Sequence, residues 1–453
     1  MEVEKFPRTA RSISLFIIPS LIGIWMFLVP FSFNGSMNTF IGHFKEYLMS
    51  VLHFYMPFAV FGVSLSVVLS SLFSLCLKPR FAEKHEVFYE CLYGGPFWYT
   101  VRFAAMVISV IVIWGDASVF GVFLKYAEMI VFHLVTRLLV LTLVLSLTAP
   151  LLLDFGLVQF LAVYAGPFMH PLFKVPGRSA VDSIASWLGS SSIAVVLTAK
   201  MHMNGSYSDR EAAVMVTSFS LAGIYNIYAV TSLLRMNYMF TKILLTVYST
   251  MLILAVIMPR IWPLRFIPDT YRAVPSAHHL STAGDRHGHT LFEWALYRGL
   301  SKASHMNMKL YLAESAAIAM PLICGTIPLM ITFGTFLMAI AESTPLVTMI
   351  AYPISALLDG VGVAEPDIIA TSSVFAFVDQ YVAITYGQIL LEEAGKFICI
   401  CISTVGLVNL TEIGLHVWHS TIPLSFKDML VIYIIRIVIS FIIIIPVANY
   451  IFR

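Results

Sequence analysis

The chain has 453 residues, of which 59% are hydrophobic and 11% charged, with a formal net charge of +2. Soluble domains carry about 25% charged residues, so a water-covered globule of this length is excluded. The near-neutral balance likewise gives no electrostatic footprint for nucleic acid and no polybasic lipid switch. What remains is a helical protein that crosses a bilayer several times. Its mean hydropathy is +0.87, and its 34 Phe, 20 Tyr and 7 Trp suit lipid interfaces.

A membrane-crossing helix needs about 20 predominantly apolar residues. In chain order, 12–33, 50–77, 101–124, 130–153, 212–234, 238–263, 309–338, 396–417 and 428–451 meet that requirement. The first exceeds a signal-peptide core and lacks a small-residue cleavage site, so it reads as a retained helix. Three further apolar stretches, 155–171, 180–200 and 346–391, are interrupted by Gly, Pro, Ser and Asp. They do not read as simple spans. The expected fold is an all-α polytopic membrane protein. It has about nine transmembrane helices plus two re-entrant helical hairpins in a two-fold inverted repeat. Residues 1–150 form scaffold helices, 151–263 the first repeat, 264–308 a His-rich loop and 309–453 the second repeat.

Lysine and arginine in short connections set the orientation. Lys5, Arg8 and Arg11 precede the first span, and Lys78, Arg80, Lys84 and Arg102 mark the second connection. Arg260, Arg265, Arg272, Arg286, Arg298, Lys302 and Lys309 crowd the long one. The intervening connections 34–49, 125–129 and 235–237 are nearly free of basic residues. The basic connections and the amino terminus are therefore expected on the cytoplasmic side. His278, His279, His287, His289 and His305 cluster in the long loop. A solvated linker and a metal site both fit that cluster, and the linker is the commoner case. Cys399 and Cys401, two apart, point in different directions on a helix. With Cys76, Cys91 and Cys324 they read as small packing residues.

One pattern occurs in both halves. "LGSSSIAVVL" (188–197) precedes "MVTSFSLAGI" (215–224), and "IATSSVFAFV" (369–378) precedes "CISTVGLVNL" (401–410). A serine pair leads each short apolar run, and a Ser/Thr/Gly-rich helix follows. Interrupted backbone at membrane depth is tolerated only where protein or a water-filled cavity surrounds it. A matching pair of interruptions, one per half, is the best sequence pointer to a transporter's central site. Close helix packing through small residues is the alternative.

The stretch "PGRSAVDSIASWLGSSSIAVVLTAKMHMNGSYSDREAAVMVTSFSLAGIYNIYAV" resembles the YjiH family of bacterial inner-membrane proteins. That family carries the nucleoside-recognition Gate domain, which concentrative nucleoside transporters, spore maturation proteins and a ferrous-iron transporter share. The resemblance covers most of the chain and is strongest over about 150–420. It implies two Gate repeats, a bacterial inner membrane, and a site built on the matching positions. Where the nucleoside carriers have Gly-Gln-Thr-Glu, this chain has Gly189, Ser190, Ser191 and Ser192. Their next helix begins Ala-Val-Met-Thr-Gly-Gly-Phe, and Ala213 to Phe219, including Thr217 and Ser218, takes that place. Their Asn-Glu-Phe-Val-Ala becomes Asp379, Gln380, Tyr381, Val382 and Ala383. Asn409 is kept, and Glu412 stands where serine is usual. The carboxylates at Ser192 and Gln380 are gone, so a nucleoside is not the implied solute.

Ionisable groups inside spans are costly and usually serve a site or a pair. Asp379 reads as a solute or ion ligand or as a buried acceptor. Glu412 shares a face with Asn409, while Asp116 and Glu314 interrupt other spans. Lys200 reads as a snorkelling end, Arg178 and Asp182 as a salt bridge, and Tyr225, Asn226 and Tyr228 as pocket or packing residues. The leading reading is a secondary transporter of a small polar solute, coupled to Na⁺ or H⁺, with no resident cofactor or metal. Its site would comprise Gly189, Ser190–Ser192, Thr217, Ser218, Ser372, Ser373, Asp379, Gln380, Asn409 and Glu412. A divalent-cation permease and a spore-maturation-type assembly protein remain alternatives. No intramembrane His is placed as a base for serine, so an enzyme is not expected, and no phosphate-binding loop appears, which disfavours a nucleotide-driven pump. The partners expected are the bilayer and the solute, with a homo-oligomer left open.

Overall fold

The computed structural model describes residues 9–452 apart from 30, 34–35, 53–54, 78–94, 115–116, 189–194, 196–197, 200, 204, 220–222, 273–289, 407, 410–412, 415–416 and 418–419. Among the described residues, six stretches are long and apolar enough to cross a bilayer. They are Ala10–Phe27, Gly95–Trp114, Phe123–Leu153, Asn237–Arg260, Met308–Ala341 and Phe426–Ile451. The protein is a multi-pass helical membrane protein. Of the other three expected spans, 50–77 holds the 22-residue helix Met56–Leu77 with a described apolar stretch at Phe58–Leu72, while 212–234 and 396–417 contain helices that end within them.

The first part runs α1 (Ala10–Leu28), a small hairpin β1–β2 (Phe31–Phe33, Ser36–Asn38), α2 (Phe40–Leu52), α3 (Met56–Leu77), α4 (Gly95–Trp114), α5 (Ala117–Glu128) and α6 (Thr136–Leu153). Arg102, read from sequence as a connection residue, lies inside α4 and is buried. Its Nε donates to the Cys324 carbonyl (3.0 Å) and its Nη1 to Ser71 Oγ (2.9 Å). Cys324 sits in a π-helical turn, Leu322–Thr326, a geometry that departs from the regular i→i−4 ladder. Arg102 therefore adds nothing to the count of cytoplasmic charges.

Each half then continues through a series of shorter helices. In the first, α7 (Leu157–Phe173) packs against α8 (Ser179–Leu188), and the chain continues to α9 (Asp209–Ser218), α10 (Ile224–Leu233) and α11 (Phe240–Ile257). After α12 (Leu291–Ser304), α13 (Met308–Pro321) and α14 (Thr335–Ser343), the second half follows suit. There α15 (Leu346–Gly360) packs against α16 (Pro366–Val378), then come α17 (Gln380–Gly387), α18 (Glu393–Gly406) and the last helix, α19 (Phe426–Ile451). The chain breaks at Asp379, and α16 and α17 lie against each other. Their 13 and 8 residues reach about 20 and 12 Å at 1.5 Å per residue, short of a ~30 Å hydrocarbon core. This is the re-entrant hairpin expected in the second half. Its base is tied by Glu365, whose carboxylate accepts from the Leu391 and Glu392 amides at 3.0 Å each.

Helices α7 and α12 cross at their closest where Gly156 meets Gly299. Gly156 has φ +98, and a Cβ there would stand 2.2 Å from the Gly299 carbonyl oxygen. Two residues before it, Asp154 caps the end of α6. Burial and the nearby Glu314 charge push its carboxyl up to about 7, against the opposing pull of Lys302. The folded state keeps this proton while the unfolded chain releases it near pH 4. Stability should therefore fall as pH rises from about 4 to 7. Asp154→Asn should remove that slope and raise stability at pH 8 by on the order of 2 kcal/mol, discounted for partial exposure. Melting temperature against pH for both proteins checks it.

Candidate functional site

Both halves contain a helix that stops inside the apolar core. Helix α9 starts on a capping box of Ser208 and Glu211 and ends at Ser218, and α10 begins after Gly223. Helix α18 ends at Gly406, and Val408 and Asn409 are non-helical. A helix end leaves four carbonyls without helical partners, and hydrocarbon offers no water to take them.

The last helix supplies a partner to both. Arg436 stands near the middle of the 26-residue α19 and is fully buried. Its Nη1 donates to the Thr217 carbonyl at 2.7 Å and its Nη2 to the Val405 carbonyl at 3.0 Å. Nη2 also lies 3.1 Å from the Met251 sulfur on α11. One guanidinium thus joins helix ends from the two halves of the chain. One turn earlier, Tyr433 donates its hydroxyl to the Ser373 carbonyl in the hairpin arm α16. The tyrosine ring passes so close to the end of α18 that a Cβ on Gly406 would stand 2.9 Å from Cε2. Glycine at 406 is what lets α19 reach both the hairpin and the helix break.

The residues expected from sequence fall into three groups. Gly189, Ser190, Ser191, Ser192 and Glu412, with Lys200 and Asp116, lie outside the described residues. Others are satisfied locally. Thr217 Oγ1 donates to the Ala213 carbonyl (2.7 Å) and Ser373 Oγ to that of Ile369 (2.8 Å). Ser372 is an exception: it lies beside the buried Cys399 thiol, yet its hydroxyl has no hydrogen-bond partner among the described residues. Asn409 is folded into its own turn, its carbonyl accepting from Gly414 at 2.8 Å. Asp379 is extended and buried, and its carboxylate accepts from the Tyr381 amide at 2.7 Å, so it caps α17.

The third group is different. Gln380 is 1% exposed, and neither its amide oxygen nor its amide nitrogen has a hydrogen-bond partner among the described residues. The buried Ser218 hydroxyl is in the same state. Such groups cost roughly 1–3 kcal/mol each when left unpaired. Both sit at a break in the helical backbone, one in each half.

Side chains tie the halves around these breaks. Tyr381 donates to the Asn226 side-chain oxygen at the start of α10, and Gln388 Nε2 donates to the Leu233 carbonyl at its end (2.9 Å). At the start of α9, the His202 ring lies 2.7 Å from Asp209 and 3.0 Å from the Thr421 hydroxyl. Burial raises the Asp209 carboxyl, but hydrogen bonds from Thr270 and His202 and the charges of His202 and Arg272 outweigh it. It is held below the ordinary carboxylate range. Arg178 and Asp182 form no direct salt bridge; Asp182 accepts from the Tyr207 hydroxyl (2.6 Å), while Arg178 stacks over that ring.

The sequence reading missed Arg436 and Tyr433. A signal existed: a single arginine inside "VIYIIRIVIS" is the kind of intramembrane charge that marks a site.

Residues 135–236 match the Gate family, described as nucleoside recognition. A protein of Alkalihalophilus pseudofirmus, itself described as uncharacterised, is 31% identical over 440 residues, covering 96% of this chain and 94% of that one. The chain belongs to that protein's family. The Gate resemblance drawn from the residues therefore holds. The matched segment covers most of α6 through α10, including the first broken helix. Among solved structures, CNTnw in an inward-facing, substrate-bound state is 18% identical. It covers 88% of this chain and 96% of its own, with a TM-score of 0.41. A variant of CNTnw in an outward-facing state is 14% identical over 97% and 95% of the two chains, with a TM-score of 0.37.

The cap reading of Asp379 has its own test. Asp379→Ala should lower stability by about 0.5–2 kcal/mol, while Asp379→Asn, an equally good cap, should retain it. Equal losses in thermal melts of the two variants would show that the charge, and not the cap, is what the fold uses.

Proposed function

We propose that the protein is a secondary transporter of a small polar solute in a bacterial inner membrane, with its amino terminus cytoplasmic. The solute site lies where the two broken helices meet the hairpins. The observation that carries this reading is Gln380, a fully buried amide with no partner at either end among the described residues, placed at a backbone break. A fold that needed only packing there would use an apolar side chain. Ser218, Ser372, Ser373, Asp379 and Asn409 border the breaks in sequence, and Gly189, Ser190–Ser192 and Glu412 complete the set. Alternating access then moves the hairpin-bearing repeats against the scaffold helices of residues 1–150.

Arg436 counts against the divalent-cation reading. Its guanidinium already occupies the Thr217 and Val405 carbonyls, oxygens that a divalent ion at the breaks would draw on, whereas a neutral or anionic solute does not compete for them.

Thermal-shift screening of the purified protein against polar solutes tests the proposal, since a bound solute stabilises the fold by mass action. A cysteine at Ser372, on a Cys-free background, should react with small water-soluble thiol reagents in at least one condition. Complete protection in all conditions would favour close packing over a site. A reporter fused near Asp285 should appear on the cytoplasmic side, and a periplasmic signal would reverse the orientation.

A further inference from the structure

We propose that Arg436 is a tethered cation occupying the place of a dissolved coupling ion, so that solute binding by this protein does not require Na⁺. The inference rests on the transporter reading for its consequence, but its geometry stands alone. Carbonyls at the ends of broken helices are the groups that coordinate Na⁺ in transporters built this way. Here one such carbonyl from each half, Thr217 and Val405, accepts instead from the same guanidinium at 2.7 and 3.0 Å. The Met251 sulfur at 3.1 Å fills a further direction.

The charge balance agrees with the geometry. Each helix C-terminus behaves as about −0.5 elementary charge. The ends of α9 and α18 together supply about −1, which matches one guanidinium without a carboxylate. Among the described residues no salt bridge is made by Arg436. An additional monovalent cation at the same carbonyls would meet an already neutralised pair of helix ends and a fixed positive charge. A tethered ion also differs in function from a dissolved one. It cannot leave with the solute, so it holds the two repeats together without drawing on an ion gradient.

The test uses the full-length protein in detergent, melted in NaCl, KCl or choline chloride at matched ionic strength. Wild-type melting temperature, and any solute-induced shift, should be the same in all three salts. A saturable rise specific to Na⁺, or a solute response that needs Na⁺, would overturn the proposal without any variant. Arg436→Ala should melt several degrees lower in choline chloride and recover with ethylguanidinium and with Na⁺, because the two carbonyl ends are again open to a cation. Arg436→Gln serves if the alanine variant does not fold, and should recover with Na⁺ in the same way. Absence of recovery in a folded variant would show that no cation site lies there. A protein that answers to no solute in any salt would sink the transporter reading, while cation recovery of the variants would still decide the role of Arg436.

Discussion

Gly156→Ala should be the most damaging single-methyl change in the protein, with an expected loss of about 3–5 kcal/mol. Two costs add there. The residue adopts φ +98, which an alanine resists, and the new methyl would lie 2.2 Å from a backbone oxygen, that of Gly299. A side chain can rotate away from such a contact, but a carbonyl in a packed helix cannot. Relief would need α7 and α12 to separate, and α7 packs against α8 as well. Gly299→Ala provides the control. Its Cβ would meet the Phe16 ring at 3.1 Å and the Gly156 oxygen at 3.3 Å, contacts that small shifts accommodate. Size-exclusion recovery and melting temperature should therefore rank wild type above Gly299→Ala, and that variant well above Gly156→Ala. The reverse order would mean that this crossing is not what positions the hairpin-bearing repeat.

How much of this was legible in the sequence depends on which interaction carries each feature. Spans such as Asn237–Arg260 and Phe426–Ile451 follow from side-chain hydropathy alone, and the reading located them. The breaks at Ser218 and Gly406 were half-legible. Their small residues were visible, yet 212–234 and 396–417 are apolar enough on average to pass as continuous spans. Asp379 was recognised as unusual, but its bond to the Tyr381 amide is a backbone partnership that composition does not reveal. Arg436 was visible as an intramembrane charge, but its role was not. Its partners are the backbone carbonyls of Thr217 and Val405, and a carbonyl carries no residue identity. Only the fold says which carbonyls have been released by a helix end, and only then does an arginine among isoleucines acquire a reason.

Gln380→Met should make the protein more stable and less responsive at once. Methionine has nearly the volume of glutamine and removes two buried polar atoms that lack partners among the described residues. The expected gain is about 1–3 kcal/mol, the cost of an unpaired buried amide. In the same variant the shift produced by a stabilising solute should disappear, because the group that would bond it is gone. These two outcomes have opposite signs for a structural residue and for a binding residue. A glutamine that serves the fold would have partners, and its loss would destabilise the protein while leaving the solute response intact. A glutamine that merely tolerates its position would stabilise on replacement and also leave the response intact. Only a group kept unsatisfied for a ligand gives a gain in melting temperature together with loss of the ligand-induced shift. Natural proteins sit close to their stability threshold, and a buried amide that bonds nothing among the described residues is a standing cost that a bound solute would relieve.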